Sequence, residues 1–152
     1  MIEVTGNVFD EIGKADALCI TTNGIVRKNG WAICGAGVAL AARLRWPDFE
    51  QKLGEKLLYT KKNIPHFILQ VILRENITRV YSFPTKNDWR NSSDIELIKN
   101  SAKILLENAD IYQWTRIAVP RPGCHNGGLN WSDVKKELET IFDDRFVIYS
   151  LD

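Results

Sequence analysis

The sequence has only three cysteines, Cys19, Cys34 and Cys124, and no CxxC pair among them. An odd number at these spacings argues against a disulfide framework and leaves no thiolate set for a structural zinc. Histidine is scarcer, with only His66 and His125 available as metal ligands. An excess of charge of one sign is missing too: 20 basic residues stand against 19 acidic ones, for a net +1. Proteins that grip duplex nucleic acid through its phosphates usually carry a basic surplus, so charge alone does not point to that class. Lys and Arg do gather around Lys52–Lys62, but Glu50 and Glu55 lie among them, and the stretch reads as a solvated face. No apolar run approaches the roughly 20 residues that span a bilayer. The opening Met1-Ile2-Glu3-Val4-Thr5 reads as a strand and lacks the basic and apolar regions of a secretion signal. These absences predict a cytoplasmic chain in a reducing compartment, with no membrane, metal or cofactor. Repeats, low-complexity tracts and linker-like stretches are also absent. One domain over residues 1–152 is expected, and nothing demands more than a monomer.

What is present fits a globular α/β chain. Its 152 residues, 45% hydrophobic and 26% charged, are enough to bury a sizeable core. Ala17 to Thr22, Arg116 to Pro120 and Phe146 to Tyr149 are short, uninterrupted apolar runs, as strands buried on both faces require. Phe67 to Leu73 and Thr78 to Phe83 predict a neighbouring pair joined by a turn at Glu75-Asn76. Helical spacing fills the gaps. Gly37 to Arg45 is one helix, ended by Pro47; Ser93 with Glu96 predicts a capping box ahead of Leu97, Ile98, Ile104 and Leu105. Asn130 or Ser132 caps a last helix with Val134, Leu138, Ile141 and Phe142 on its buried face. Strands alternating with helices predict a three-layer α/β/α domain around a mixed sheet.

In such folds ligands sit beyond the carboxyl ends of central strands. Two glycine-bearing loops fit that position. One leaves the Ala17–Thr22 strand as Thr22-Asn23-Gly24 and reaches Cys34-Gly35-Ala36-Gly37-Val38-Ala39; the other runs from Pro120 through Gly123-Cys124-His125-Asn126-Gly127-Gly128 to Leu129. Glycines ahead of a helix let backbone N–H groups reach phosphate oxygens, helped by the helix dipole. Two such loops can hold a diphosphate between them. Neither is a Walker A loop, and Leu40 and Ala41 stand where GxGxxG needs its third glycine.

Taken in order, these pieces resemble a macro domain. The resemblance rests on Gly6-Asn7-Val8-Phe9, Thr21-Thr22-Asn23, Gly35-Ala36-Gly37-Val38-Ala39, Tyr81-Ser82-Phe83-Pro84-Thr85-Lys86, and the Pro120 to Trp131 loop with its PxxGCxxGGLxW pattern. It runs from about Glu3 to Tyr149. It is strongest toward the branch that includes DNA ADP-ribosyl glycohydrolases and the human terminal ADP-ribose glycohydrolase, and small ADP-ribose-1″-phosphate phosphatases are also similar. The resemblance implies an ADP-ribose ligand. Asn7 would face the adenine amino group, where many relatives have aspartate, and Val8 would offer its N–H to the base. Asn23 would face the distal ribose, above Gly35, Ala36, Gly37 and Val38. Gly123, Cys124, His125, Asn126 and Gly127 would wrap the diphosphate, and Pro120 at the start of that loop belongs to the ligand-binding set. Ser82 and Phe83 belong to the same set, Phe83 either as a wall of the site or as a core aromatic.

Lys86 carries the chemical implication. In the glycohydrolase branch the lysine of this motif attacks the anomeric carbon of the distal ribose, which requires a neutral amine near C1″. Without the motif, Lys86 among Asn87, Asp88 and Arg90 reads as an exposed loop lysine. Two departures from the family pattern bear on activity. The human enzyme pairs its lysine with an aspartate where this chain has Gly127, although the DNA-directed branch also has glycine there. His125 replaces a usual glycine; it is either a proton donor to the leaving group or a surface histidine. The Ile25 to Ile33 segment, with Arg27, Lys28 and Trp31, either forms a lid over the ribose end or folds onto the core. Cys124 reads as packing rather than as an activated thiol.

Three functions follow from these residues. One is a hydrolase removing a group from C1″ of ADP-ribose, with Lys86, Asn23 and His125 as its catalytic residues. A second is a binding module that reads or sequesters ADP-ribose or a related signalling nucleotide without turnover. The third, less favoured by a near-neutral charge, acts on ADP-ribosylated DNA through Trp89, Arg90 and Arg121 at the rim.

Overall fold

A computed structural model describes residues 1–152. Six strands form one mixed sheet: β1 (Ile2–Thr5), β2 (Ala17–Thr22), β3 (Phe67–Leu73), β4 (Asn76–Pro84), β5 (Ile117–Pro120) and β6 (Phe146–Ser150). Their spatial order is β1-β6-β5-β2-β4-β3, with every neighbouring pair parallel except β3 and β4. Positive φ at Arg74 (51°) and Glu75 (68°) closes that antiparallel hairpin.

Side-chain alternation along the central strands divides the interior into two cores. Ala17, Cys19, Tyr81, Phe83, Ile117, Val119, Phe146 and Ile148 face α3 (Ile95–Tyr112) and α4 (Trp131–Glu139). Leu18, Ile20, Val80 and Ala118 face α1 (Gly37–Arg45), α2 (Phe49–Thr60) and the 3-10 turn Val8–Glu11. The result is the three-layer α/β/α arrangement expected from the sequence. No helix is long and apolar enough to cross a membrane.

The solvated face expected at Lys52–Lys62 is kept, on a helix, and one local expectation, the cap of α3, is corrected. The Lys52–Lys62 stretch is largely helical: Phe49, Leu53 and Leu57 recur at i, i+4 and i+8 on the buried face of α2, with the charges on the other side. The cap of α3 is Asp94 rather than Ser93. The Asp94 carboxylate accepts from the N–H groups of Glu96 and Leu97, and an anion suits the positive end of the helix. Asn130 caps α4 by accepting from Ser132 N–H.

Topology places a crevice between β2 and β5. Their pairing covers only Ala17 to Leu18 against Ile117 to Ala118. From β2 the chain next contributes to the β4-β3 side of the sheet; from β5 it turns the other way, to β6. Strands that part at such a reversal leave room beyond their carboxyl ends.

Candidate functional site

A cleft of about 1010 Å³ opens at that place. Its walls come from the carboxyl ends of β2 (Thr22), β5 (Pro120) and β6 (Tyr149 and Ser150), from Thr85 just beyond β4, and from the two glycine-bearing loops. Asn7, Val8, Asn23, Gly35, Ala36, Gly37, Val38, Lys86, Pro120, Gly123, Cys124, His125, Asn126 and Gly127 all line it. Two expected residues do not. Phe83 is fully buried among Ile98, Ala102 and Val119 beneath α3, because strand alternation turns it into that core. Ser82 is also fully buried, and its Oγ accepts the His66 N–H at 2.9 Å.

Both loops turn unpaired donors toward the cleft. No group in the chain accepts from the backbone N–H groups of Gly35 through Ala39, and Ala36 caps α1 without a side-chain bond. The N–H groups of Gly123 through Asn126, which lead into the 3-10 turn His125–Gly127, are equally without acceptors. Helix starts of this kind attract anions. The loops also meet: Gly37 has φ +58°, and a Cβ there would lie 3.1 Å from Asn126 Nδ2. Asn126 in turn receives Lys86, whose Nζ donates to its carbonyl at 3.1 Å.

The first loop is held from below by Glu50 on α2. This buried carboxylate accepts the Cys34 N–H at 2.7 Å and sits 3.7 Å from the Arg27 guanidinium and 3.9 Å from that of Arg43. The Glu50 backbone oxygen takes the Ala32 N–H at 2.9 Å. Burial, with the Glu50 carboxylate beside it, pushes the Cys34 thiol up to about 12. The Ile25–Ile33 segment is therefore a small hairpin, with Val26 bridged to Ala32, docked on α2. Only Ile33 of this segment lines the cleft, so it is not a lid in this conformation.

The opposite end has a second buried anion. Glu11 accepts from Arg116 Nε at 2.8 Å and Nη2 at 2.7 Å, and from the Tyr149 hydroxyl. Burial raises the Glu11 carboxyl, but the bonds from Arg116 and Tyr149 outweigh it and hold the group below the ordinary carboxylate value. Burial and the Glu11 partner push the Tyr149 phenol up to about 12. With its hydroxyl tied back, Tyr149 is an aromatic wall packed 3.5 Å from where a Gly6 Cβ would stand.

Asn7 and Asn23 are partly committed. Asn7 Oδ1 accepts the Phe9 N–H at 3.0 Å as a turn cap, which leaves its amide nitrogen free. Asn23 donates to Ile33 O and accepts from Ile25 N–H, each at 3.0 Å. His125 is exposed and has φ +57°, the left-handed region in which glycine is at ease. Cys124 is half-buried, and burial raises its thiol against the pull of Arg121, which fits a packing residue. At the rim Trp89 is 51% exposed, with the Arg90 guanidinium 5.9 Å from its ring, and Arg121 lies 4.9 Å over Trp131.

Tyr149, Thr22, Thr85 and Ser93 line the cleft without having been assigned to it from sequence. Three of the four stand at or just past the carboxyl end of a parallel strand, the signal that would have found them. Ser93 looked like a helix cap.

No protein-family model matches the chain. It is 27% identical to a DNA ADP-ribosyl glycohydrolase of Thermus aquaticus over 92% of this chain and 37% of that protein. It is 28% identical to one of Mycobacterium tuberculosis over 86% of this chain and 38% of that protein. The chain thus spans under two-fifths of the length of these relatives. Among solved structures, the macrodomain of Mycobacterium tuberculosis DarG superposes with a TM-score of 0.79 at 25% identity, covering 97% of this chain and 95% of that one. The macrodomain of Thermus aquaticus DarG gives 0.76 at 25%, again over 97% and 95%. Thermosipho africanus DarTG, solved in complex with ADP-ribose, gives 0.77 at 23% over 98% of this chain and 41% of that one. The chain thus shares the fold of the DarG macrodomains and is similar in sequence to the DNA ADP-ribosyl glycohydrolases.

Proposed function

We propose that this chain binds ADP-ribose and hydrolyses the bond between its distal C1″ and an attached group, with ADP-ribosylated DNA, the substrate class in its relatives' name, as the first candidate. The observation that carries the reading is the pair of facing rows of unpaired backbone N–H groups, which meet at Gly37 and Asn126, with Lys86 bonded to Asn126. Such rows suit a diphosphate, and a lysine at their junction suits the sugar carbon next to it. In this reading the Lys86 amine attacks C1″. The bond to the leaving group breaks with its electron pair, and water then frees the lysine from the sugar. Asn7, Val8 and Tyr149 take the adenine end, and Asn23 orients the distal ribose. Trp89 and Arg90 at the rim offer an aromatic face and a cation to single-stranded DNA.

Binding without turnover is the second reading, favoured by Gly127, which places no carboxylate beside Lys86. Calorimetric titration with ADP-ribose, followed by incubation with an ADP-ribosylated DNA oligonucleotide and with ADP-ribose-1″-phosphate, separates the two. Release of the oligonucleotide supports the glycohydrolase, and loss of phosphate alone supports a phosphatase. Micromolar binding with neither product leaves a reader. In the Lys86→Ala variant turnover should vanish while ADP-ribose affinity holds; retained turnover removes Lys86 from the mechanism.

A further inference from the structure

Lys86 stands just past the end of β4, and its main chain is gripped by a side chain from another part of the fold. Thr85 N–H still donates to Thr22 O, at 3.0 Å. Beyond it, Asn63 Nδ2 donates to Lys86 O at 2.9 Å and to Asn87 Oδ1 at 3.0 Å. Gly24, next to Asn23, donates its N–H to Asn87 O at 3.1 Å. Only glycine leaves room for this meeting, since a Cβ at Gly24 would lie 2.8 Å from Asn63 Nδ2 and 3.2 Å from Asn87 O. Asn63 sits on a fixed support, the short connection from α2 to β3. There Lys62 N–H donates to Thr60 Oγ1 at 3.2 Å, and Lys62 O accepts from His66 Nε2 at 2.9 Å. Buried His66 is in turn bonded to Ser82 of β4 in both directions: its N–H donates to Ser82 Oγ, and its O accepts the Ser82 N–H, each at 2.9 Å. The Asn63 Oδ1 is buried and has no partner. An amide kept with one end unpaired is poorly explained by stability alone.

We infer that Asn63 is a positioning residue: by holding the Lys86 carbonyl and the Asn87 amide, it sets where the Lys86 amine stands relative to the distal C1″. This rests on the hydrolase reading above. Neither Asn63 nor Asn87 lines the cleft, so the effect passes through Lys86 and not through contact with the ligand. A long, flexible lysine side chain reaches one place only when its main chain is fixed, and a displacement of about 1 Å at a reacting group costs on the order of 100-fold in rate. The same amide packs against Gly24, so the lysine segment and the loop that carries Asn23 are held in register.

The test compares Asn63→Ala with the wild type on the ADP-ribosylated oligonucleotide and on ADP-ribose-1″-phosphate, with ADP-ribose affinity measured by calorimetry. In the variant kcat should fall about tenfold or more, while KM and ADP-ribose affinity stay within about twofold. The melting temperature should move by no more than about 3 °C, because two lost neutral hydrogen bonds are offset by the removal of an unpaired buried oxygen. Asn87→Ala, at an exposed position, removes one of the two acceptors and should lower kcat by about threefold. It decides the matter if Asn63→Ala does not fold. Unchanged kcat in Asn63→Ala, or in Asn87→Ala where the first variant is unfolded, overturns the inference and leaves the hydrolase reading standing. A loss of ADP-ribose affinity as large as the loss of kcat overturns it as well, since Asn63 would then shape the whole cleft. A wild-type chain that turns over neither substrate overturns the hydrolase reading and the inference with it.

Discussion

Replacing Glu11 with Gln tests whether the buried Glu11–Arg116–Tyr149 group supports both the fold and the cleft wall. The carboxylate is 1% exposed and takes two donors of one guanidinium and a phenol. Severing a buried ion pair by deleting one partner costs about 3–5 kcal/mol when the other is stranded. Here the Arg116 side chain is 41% exposed and keeps water, so the loss is smaller. Glutamine retains one acceptor and the volume, and exchanges charge-assisted bonds for neutral ones. About 2 kcal/mol is expected, from hydrogen bonds worth roughly 1.5–3 kcal/mol with charge and 0.5–1.5 without. For a chain of this size that lowers the melting temperature by about 4–8 °C.

The loss must depend on pH in one direction. The folded-state carboxyl is held below its ordinary value, so the unfolded chain takes up the proton first on acidification. The stability from Glu11 is thus fully present above the ordinary carboxylate range, near pH 4.3, and disappears as pH falls through the lower folded value. Urea unfolding of both proteins at pH 7 and at descending pH should show midpoints that converge as the pH falls below the ordinary carboxylate range. ADP-ribose affinity at pH 7 should also weaken several-fold, because the Tyr149 ring loses its tether. Equal midpoints at pH 7, or a gap that persists unchanged on acidification, would refute this account of the network.

Two further substitutions probe the loops. His125→Gly relieves a left-handed backbone penalty of about 1–2 kcal/mol and costs about 0.5–1 kcal/mol of extra entropy on folding, so the melting temperature should rise by about 1–2 °C. Its turnover should match the wild type, and a drop beyond tenfold would make His125 a proton donor after all. Gly37→Ala puts a Cβ at φ +58° and 3.1 Å from Asn126 Nδ2, displacing the N–H row. ADP-ribose affinity should fall by about tenfold, measured by calorimetry, with a folded circular-dichroism spectrum; unchanged affinity would mean that this row does not hold the diphosphate.

Much of the fold was legible because buried strands and helix starts leave local marks. Ala17–Thr22, Phe67–Leu73 and Gly37–Arg45 carry their boundaries in apolar runs, glycine and proline. The helix Phe49–Thr60 was hidden because charges interrupt its narrow stripe of Phe49, Leu53 and Leu57, and because Leu58 and Tyr59 blur the stripe from the exposed side. Phe83 shows the opposite failure: a motif puts it near the ligand, yet the period of two along β4 turns it away. Glu11 and Glu50 were out of reach from sequence, since each gains its role from an arginine or backbone donor far away in the chain.

The same reasoning explains why Lys86 can stay available. Its Nζ is held by the Asn126 carbonyl and not by a carboxylate, whereas the neighbouring Arg90 is locked to Asp88 through two nitrogens. A ligand entering the cleft displaces a bond to a neutral acceptor, which is about half as strong as one to an anion. It also finds donors already aimed at it, since the N–H groups of Gly35–Ala39 and Gly123–Asn126 have no acceptor to give up. The fold places its buried carboxylates, Glu11 and Glu50, behind the cleft walls, where they hold Tyr149 and Cys34 in place. Anionic ligand and anionic support are thereby kept apart. A carboxylate introduced beside Lys86 would end that separation and pair with the amine, so reactivity gained from an acid would be set against occupancy of the lysine.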